Sequence, residues 1–247
     1  MSLCKLCNIN ECEVEAHIVP RWAYRDILTD GPALVVPTAP DQYIGKSRKG
    51  EFDRELVCLE CERLFSGPDN FGCKFFRDTD WSQENFEILG TTTRKEYFIK
   101  HHSGNDYEIL HKFVLSLLWR ISATDRSCYE GVNLGPRGQV LGKLILEDSC
   151  PPESFQFRLT RYFTPNNISV LNPERILMNP QSTKISGHSI TRIPLHGFEI
   201  LVSTDSRSNP ILIPELTASS ESIPVLGMCF TGSPDIVAIN QMIQTHR

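Results

Sequence analysis

The sequence predicts an α+β fold in which a small cysteine-pinned module precedes an α+β domain with a central helix and antiparallel strands. Three observations predict this class. Two Cys-x-x-Cys pairs lie within the first 61 residues and bracket a long connection. Apolar residues recur at three- and four-residue intervals over residues 106–123, which is the period of a helix. They alternate with polar residues over residues 155–163, which is the period of a strand.

Size and composition limit the classes of function. A chain of 247 residues and 28.0 kDa has room for one or two domains, and contents of 40% hydrophobic and 22% charged residues exclude wholesale disorder. The net charge of −5 argues against binding nucleic acid by bulk electrostatics alone, so any such contact must be local. The N-terminus lacks the apolar stretch of a signal peptide, and the longest apolar run, residues 113–119, is too short for a bilayer. We therefore expect a cytoplasmic protein with no membrane partner.

The two cysteine pairs predict a zinc site. Cys4, Cys7, Cys58 and Cys61 provide four thiolates at the spacing of a tetrahedral site, in which each sulfur lies about 2.3 Å from the ion. The connection between the pairs is far longer than in a compact zinc ribbon, so we expect it to carry a functional element. Cys12, shortly after the first pair, is an alternative ligand. The remaining cysteines have no ligand spacing, and we expect them to be packing residues in a reducing compartment.

The chain divides into two predicted domains, residues 1–78 with the cysteine pairs and residues 79–247. Residues 62–65, just after the second pair, are compatible with a helix. Residues 79–150 have a mostly helical pattern, which includes a second helix over about residues 138–147 after a Gly-Pro turn.

The central helix is expected over residues 106–123. Its apolar stripe predicts four buried side chains: Leu110, Phe113, Val114 and Leu117. Beyond residue 151 the alternation over residues 155–163 and over parts of residues 190–203 predicts an antiparallel sheet. A Ser-Pro-Asp start predicts a last helix over about residues 233–244.

The connection between the cysteine pairs contains an apolar-flanked histidine, His17, followed by Pro20. The order of cysteine pair, His17, second cysteine pair and Glu62 resembles the zinc-stabilised branch of the HNH, or His-Me finger, endonucleases over residues 1–65. The resemblance implies a zinc-bound ββα treble-clef module. It also implies that His17 is the general base that takes a proton from water attacking a phosphodiester. Mg²⁺ or Mn²⁺ would be the catalytic ion, and zinc would be structural.

Three positions depart from the family pattern. The residue before the histidine, which binds the catalytic metal in the family, is Ala16 and has no ligand atom. Glu15 lies on the same face as His17 by the period of two, and is an alternative donor. No asparagine follows until residue 70 to orient the base. Glu62 stands where the family has histidine or asparagine, and its carboxylate is a hard oxygen donor suited to Mg²⁺ or Mn²⁺.

A basic run in a Gly-flanked loop, Lys46, Arg48 and Lys49, is the candidate phosphate contact, although such runs are often only solvated. The resemblance implies nucleic acid as partner, DNA in preference to RNA. A homodimer or a protein partner is also open.

Three functions follow from these observations. The first is a metal-dependent endonuclease with catalytic His17 and Glu62; by analogy with stand-alone nucleases of this kind, it would act in restriction or phage defence. The second is a catalytically inactive zinc module that binds nucleic acid or a protein, since Ala16 removes a metal ligand. The third is a structural zinc domain that supports an enzyme centred in residues 79–247, although no nucleophile–base pair, P-loop or dinucleotide motif occurs there.

Overall fold

A computed structural model confirms the α+β class, with helices and a mixed β-sheet. It describes eight stretches of the chain: residues 2–24, 33–36, 45–47, 50–91, 96–163, 174, 177–207 and 214–229. The helix predicted over residues 233–244 lies outside this part of the chain.

The cysteine-bearing segment contributes short strands. In chain order they are β1 (Ala16–His17), β2 (Ala33–Val36), β3 (Gly45–Ser47) and β4 (Phe52–Asp53). Strand β1 pairs antiparallel with β4, and β2 pairs antiparallel with β3. The chain thus returns to β1 immediately before the second cysteine pair.

The first described long helix, α1 (Leu59–Gly72), starts directly at the second cysteine pair, with Cys58 as its N-cap. It runs through Gly67 and Pro68 and continues as a π-helical segment, Cys73–Asp78. The sequence indicated helical character only over residues 62–65. The longer helix is held by its buried aromatic residues, Phe65, Phe75 and Phe76.

Two further helices agree closely with the sequence. Helix α2 (Tyr107–Ala123) confirms the central helix, and the four side chains predicted to be buried are all 0% exposed. Helix α3 (Pro136–Leu146) begins two residues before the predicted start, because proline fits the first helical position after Gly135 in its left-handed conformation. No helix in the described stretches combines the length and apolar character that a bilayer span needs.

The main sheet has seven strands in the order β5-β6-β12-β7-β11-β10-β9. Their bounds are β5 (Glu87–Thr91), β6 (Glu96–Ser103), β7 (Phe157–Phe163), β9 (Gln181–Ile185), β10 (His188–Leu195), β11 (Phe198–Ser203) and β12 (Ser222–Cys229). Strand β8 (Leu177–Met178) instead joins β2 in parallel in a three-stranded sheet.

The structure differs from the sequence predictions at two points in these strands. Residues 79–150 contain the strands β5 and β6 in addition to their helices. The main sheet is not purely antiparallel, because β12 pairs in parallel with β7 while the other neighbours pair antiparallel. The alternating segment in residues 190–203 forms two antiparallel strands, β10 and β11, joined by a two-residue turn, His196-Gly197, with positive φ at both positions.

One hydrophobic cluster spans both predicted domains. Phe76, just after α1, lies with its ring 5.5 Å from that of Phe113 on α2 and 5.0 Å from that of Phe198 on β11. Helix α1 also approaches α2 closely, since a Cβ atom at Gly72 would lie 2.6 Å from the Phe113 ring. The boundary at residue 78 stays a prediction, and the packing across it is continuous.

Replacing Phe113 with alanine should lower the free energy of unfolding by about 3–5 kcal/mol, as large-to-small substitutions in a packed core do. Urea unfolding followed by circular dichroism measures this change. The control is Leu146→Ala on α3, where the side chain is 45% exposed and the expected cost is below about 0.5 kcal/mol. An equal, small effect in both variants would contradict the central position of α2.

Acid should destabilise the fold through His111 on α2. Its ring is fully buried against Tyr107 and Phe157, and neither ring nitrogen makes a hydrogen bond of good geometry. Burial lowers the pKa of His111 to about 4, and the nearby backbone of Ser154 and Phe155 offsets only part of that effect. Since the unfolded state takes up the proton first, stability present above pH 6.5 is lost as the pH falls toward 4, by up to about 3 kcal/mol.

The matching variant is His111→Phe, which keeps an aromatic ring and removes the titrating group. The difference in unfolding free energy between wild type and His111→Phe should change over this pH window. The same measurement on His101→Phe, at an exposed position of β6, should show no such change. A pH-independent difference for His111→Phe would show that the buried ring does not titrate.

Candidate metal centre and predicted catalytic residues

The four cysteines of the two pairs form one compact group. The Sγ atoms of Cys4, Cys7, Cys58 and Cys61 all lie within 4.8 Å of one another, and those of Cys7 and Cys58 are 3.9 Å apart. In a tetrahedral zinc site with bonds of about 2.3 Å, the sulfurs lie about 3.8 Å apart. The group therefore has the chemistry and dimensions of a structural zinc site. Cys12 is buried nearby but does not belong to it.

The first pair is held in the turn of an N-terminal hairpin. The backbone N–H of Cys4 donates to the Asn10 carbonyl (2.8 Å), and that of Cys12 donates to the Ser2 carbonyl (2.9 Å). The backbone N–H of Cys7 donates to the Cys4 sulfur at 3.4 Å. The turn thus brings both sulfurs into one group and directs an N–H at one of them, a contact that would support a thiolate bound to a metal.

The second pair is held at the start of α1. The N–H of Glu62 donates to the Cys58 carbonyl (3.0 Å), so Cys58 begins the first helical turn. The Lys5 N–H donates to the Leu56 carbonyl (2.9 Å), and the Asn10 amide lies 3.8 Å from the Cys58 sulfur. These contacts bring the hairpin to the positive end of the helix dipole, where anionic thiolates are favoured.

The acidities of these thiols also suit a cation. Burial raises the pKa of Cys7, but hydrogen bonds from the backbone of Asn10 and Ile9 and contacts with neighbouring thiols outweigh it, and the pKa falls to about 7. Burial and the crowding of the other thiols raise the pKa of Cys61 well above its ordinary value. Four thiols this close cannot all ionise without a positive ion between them, and zinc deprotonates the thiols that it binds.

His17, the predicted general base, lies at the end of β1 opposite Phe52 on β4. Its side chain is half-buried, and its carbonyl accepts a hydrogen bond from Arg120 (3.0 Å). Glu15, the alternative metal donor, makes an exposed ion pair with Arg54. Its carboxylate is therefore engaged beside β1.

Glu62, the second predicted catalytic residue, lies in the first turn of α1. Its Oε2 atom is buried and makes no hydrogen bond. Burial raises the pKa of this carboxyl, Arg120 lowers it and Asp69 raises it. A buried carboxylate oxygen without a partner is costly, and the Oε2 atom of Glu62 has no partner among the described residues.

Arg120 contacts the backbone of His17 but is not among the site residues predicted from the sequence. Its side chain is 0% exposed and forms a two-point ion pair with Asp69, at 3.0 and 2.6 Å. The available signal was its position seven residues after Phe113, on the buried stripe of α2. A charge on such a stripe requires a partner.

The structure does not bring all of the predicted site residues into one group. Within the described stretches, the four cysteines are the group of three or more His, Cys, Asp or Glu side chains that is compact enough for a metal, and neither His17 nor Glu62 belongs to one. Lys46 lies on β3, where only the backbone is described, and Arg48 and Lys49 lie outside the described residues. Their contact with phosphate stays a prediction.

Comparisons with known proteins gave no match, whether with protein-family models, curated protein sequences or solved structures. The likeness to HNH endonucleases therefore depends on the motif order of residues 1–65 alone.

Proposed function

We propose that this chain is a metal-dependent endonuclease of the HNH, or His-Me finger, type, which cleaves phosphodiester bonds in DNA in preference to RNA. The observation that carries the proposal is the buried, unpartnered oxygen of Glu62 at the start of a helix anchored by the cysteine tetrad. This helix is tied to the strand of His17 through Asp69 and Arg120. These contacts support the proposal, because Arg120 connects the strand that carries His17 to the helix that carries Glu62.

His17 would take a proton from the water that attacks the phosphorus atom. The neutral form of an imidazole has a free nitrogen lone pair that can accept this proton. Glu62 would offer its free oxygen to a divalent cation, as hard carboxylate donors do. Mg²⁺ or Mn²⁺ bound there would offset the negative charge that grows on the phosphate and leaving oxygen.

Zinc would have a structural role in this proposal. The cysteine tetrad uses four protein ligands, which leaves no open position for substrate. Zinc bound by the tetrad would fix the hairpin against the first turn of α1, and would therefore fix Glu62, which follows Cys61 directly. The basic residues Lys46, Arg48 and Lys49 would contact the phosphates of the substrate.

A second candidate function is a catalytically inactive zinc module that binds nucleic acid or a protein. One observation favours it: Ala16, at the position of a metal ligand in the family, is buried and has no donor atom, and Glu15 faces Arg54 instead. In that case Glu62 would have no cation to bind.

The test is incubation of the purified protein with supercoiled plasmid, linear duplex and single-stranded RNA. Each substrate is tested with Mg²⁺, with Mn²⁺ and in buffer stripped of divalent ions, and the zinc content is measured in every sample. Nicked or linear plasmid formed only with Mg²⁺ or Mn²⁺, at constant zinc, supports the nuclease. Salt-dependent binding without cleavage supports the inactive module, because phosphate contacts release counterions.

A further inference from the structure

Arg120 on α2 has a fully saturated guanidinium. The Nε atom donates to the Ser116 carbonyl (3.3 Å), and one terminal nitrogen donates to the His17 carbonyl and to Asp69, both at 3.0 Å. The other terminal nitrogen donates to Asp69 at 2.6 Å and to the Ser116 hydroxyl at 3.4 Å. Each of the five N–H groups of an arginine therefore has an acceptor.

These contacts join three elements that are distant in the chain. His17 is 103 residues from Arg120, and Asp69 is 51 residues away. The Phe65 ring of α1 packs under the guanidinium, 4.8 Å from its carbon. Asp69 follows Glu62 by two helical turns, or about 10 Å along the axis of α1. One side chain of α2 thus fixes both the strand that carries His17 and the helix that carries Glu62.

Stability alone does not explain this arrangement. Burying an ion pair has a desolvation cost that its attraction often only balances, and apolar residues of similar volume serve a core equally well. A planar fork gives a fixed geometry instead, which a lysine cannot reproduce. Besides the two carboxylate oxygens of Asp69, the guanidinium donates to the backbone carbonyl of His17.

We propose that Arg120, oriented by Asp69, is a positioning residue that sets the placement of His17 relative to Glu62, so that the nuclease site is incomplete without a side chain from the second predicted domain. The proposal rests on the proposed function for its kinetic consequence. Its structural part, control of the His17 backbone by Arg120, is measurable without any activity.

The kinetic test compares Arg120→Lys with Lys112→Met in the full-length protein. Lys112 lies on the same helix, 20% exposed, and pairs with Glu108 and Asp148 away from His17. With Mg²⁺ and plasmid, Arg120→Lys should lower kcat about 100-fold and change KM less than about twofold, because misplacement of a reacting group by about 1 Å has that effect. Lys112→Met should leave both constants unchanged. A folded Arg120→Lys protein with wild-type kcat would overturn the proposal.

Asp69→Asn is the second variant, in case Arg120→Lys does not fold. It keeps the shape of the side chain but places an amide against the guanidinium, so one bond of the fork is lost, and kcat should fall about tenfold at unchanged zinc content. Wild-type kcat in folded Asp69→Asn would overturn the role of Asp69.

The structural test is independent of cleavage. In Arg120→Lys, the carbonyl ¹³C resonance of His17 and the amide resonance of Ile18 should shift, and in Lys112→Met they should not. If the wild type cleaves nothing, the nuclease function fails while these resonances still test the positioning. Unshifted resonances in Arg120→Lys would overturn the positioning itself.

Discussion

Replacing Cys58 with serine should remove zinc from the protein and unfold the cysteine-bearing segment. A serine hydroxyl is not ionised at neutral pH and is a poor zinc ligand, so the closed four-sulfur site is lost. Zinc binding to such sites has a free energy of about 10–16 kcal/mol, which becomes folding free energy when the free site is not preformed. The wild type should contain one zinc per chain, and Cys58→Ser close to none. Elemental analysis and the far-ultraviolet circular dichroism spectrum measure the two effects.

Two other cysteines provide the controls for this result. Cys12 is buried beside the tetrad but outside it, and Cys150 is half-buried, with its sulfur 3.9 Å from the Glu108 carbonyl of α2. Cys12→Ser and Cys150→Ser should keep one zinc per chain. Zinc at wild-type level in Cys58→Ser, or its loss in Cys12→Ser, would show that the ligand set is wrong.

The features that the sequence predicted are those encoded by local spacing. Each cysteine pair is compact because it spans a single turn, which the sequence encodes locally. Only the approach of the two pairs to each other depends on the rest of the fold. Helix α2 was predicted to within one residue, since its apolar period is long and regular. The strands of residues 155–163 and 190–203 followed from alternation in the same way.

The features that the sequence did not predict depend on distant pairing. Strands β5 and β6 were missed because both faces of β5 carry exposed residues and the pattern of β6 mixes half-buried and exposed positions. The parallel pairing of β12 with β7 joins segments more than 60 residues apart, and no local pattern encodes it. Gly67 and Pro68 would ordinarily end a helix, but aromatic packing beyond them continues α1.

In the candidate site, too, locally encoded features were predictable and features that depend on distant contacts were not. The cysteine tetrad was recognisable from the spacing of its two pairs, and the role of His17 stays a prediction from the motif order. The role of Arg120 was not recognisable, because it depends on a carbonyl 103 residues away and a carboxylate 51 residues away. The absence of a partner for the Glu62 oxygen is equally a property of the folded chain.

Replacing His17 with alanine should lower the metal-dependent cleavage rate by about 100- to 10,000-fold, which is the usual contribution of a general base. The carbonyl that Arg120 contacts belongs to the backbone and is retained, so zinc content and melting temperature should stay close to those of the wild type.

Glu62→Gln should lower the rate as well, because an amide oxygen carries no charge to bind the cation. Raising the Mn²⁺ concentration should restore part of the Glu62→Gln activity and none of the His17→Ala activity. Single-turnover cleavage of a labelled duplex measures both rates.

Each substitution has a matched control in the same chain. Glu60→Gln removes a carboxylate from the same helical turn, where Glu60 is exposed and accepts a hydrogen bond from Asn10 at 2.7 Å. His101→Ala removes an exposed imidazole from β6. Both controls should cleave at the wild-type rate, and this would also exclude a contaminating nuclease as the source of activity.

If His17→Ala cleaves as fast as the wild type, His17 is structural. If His17→Ala unfolds instead, its ring supports the strand. Either result makes the inactive zinc module the better account of a chain that has Ala16 where the family has a metal ligand.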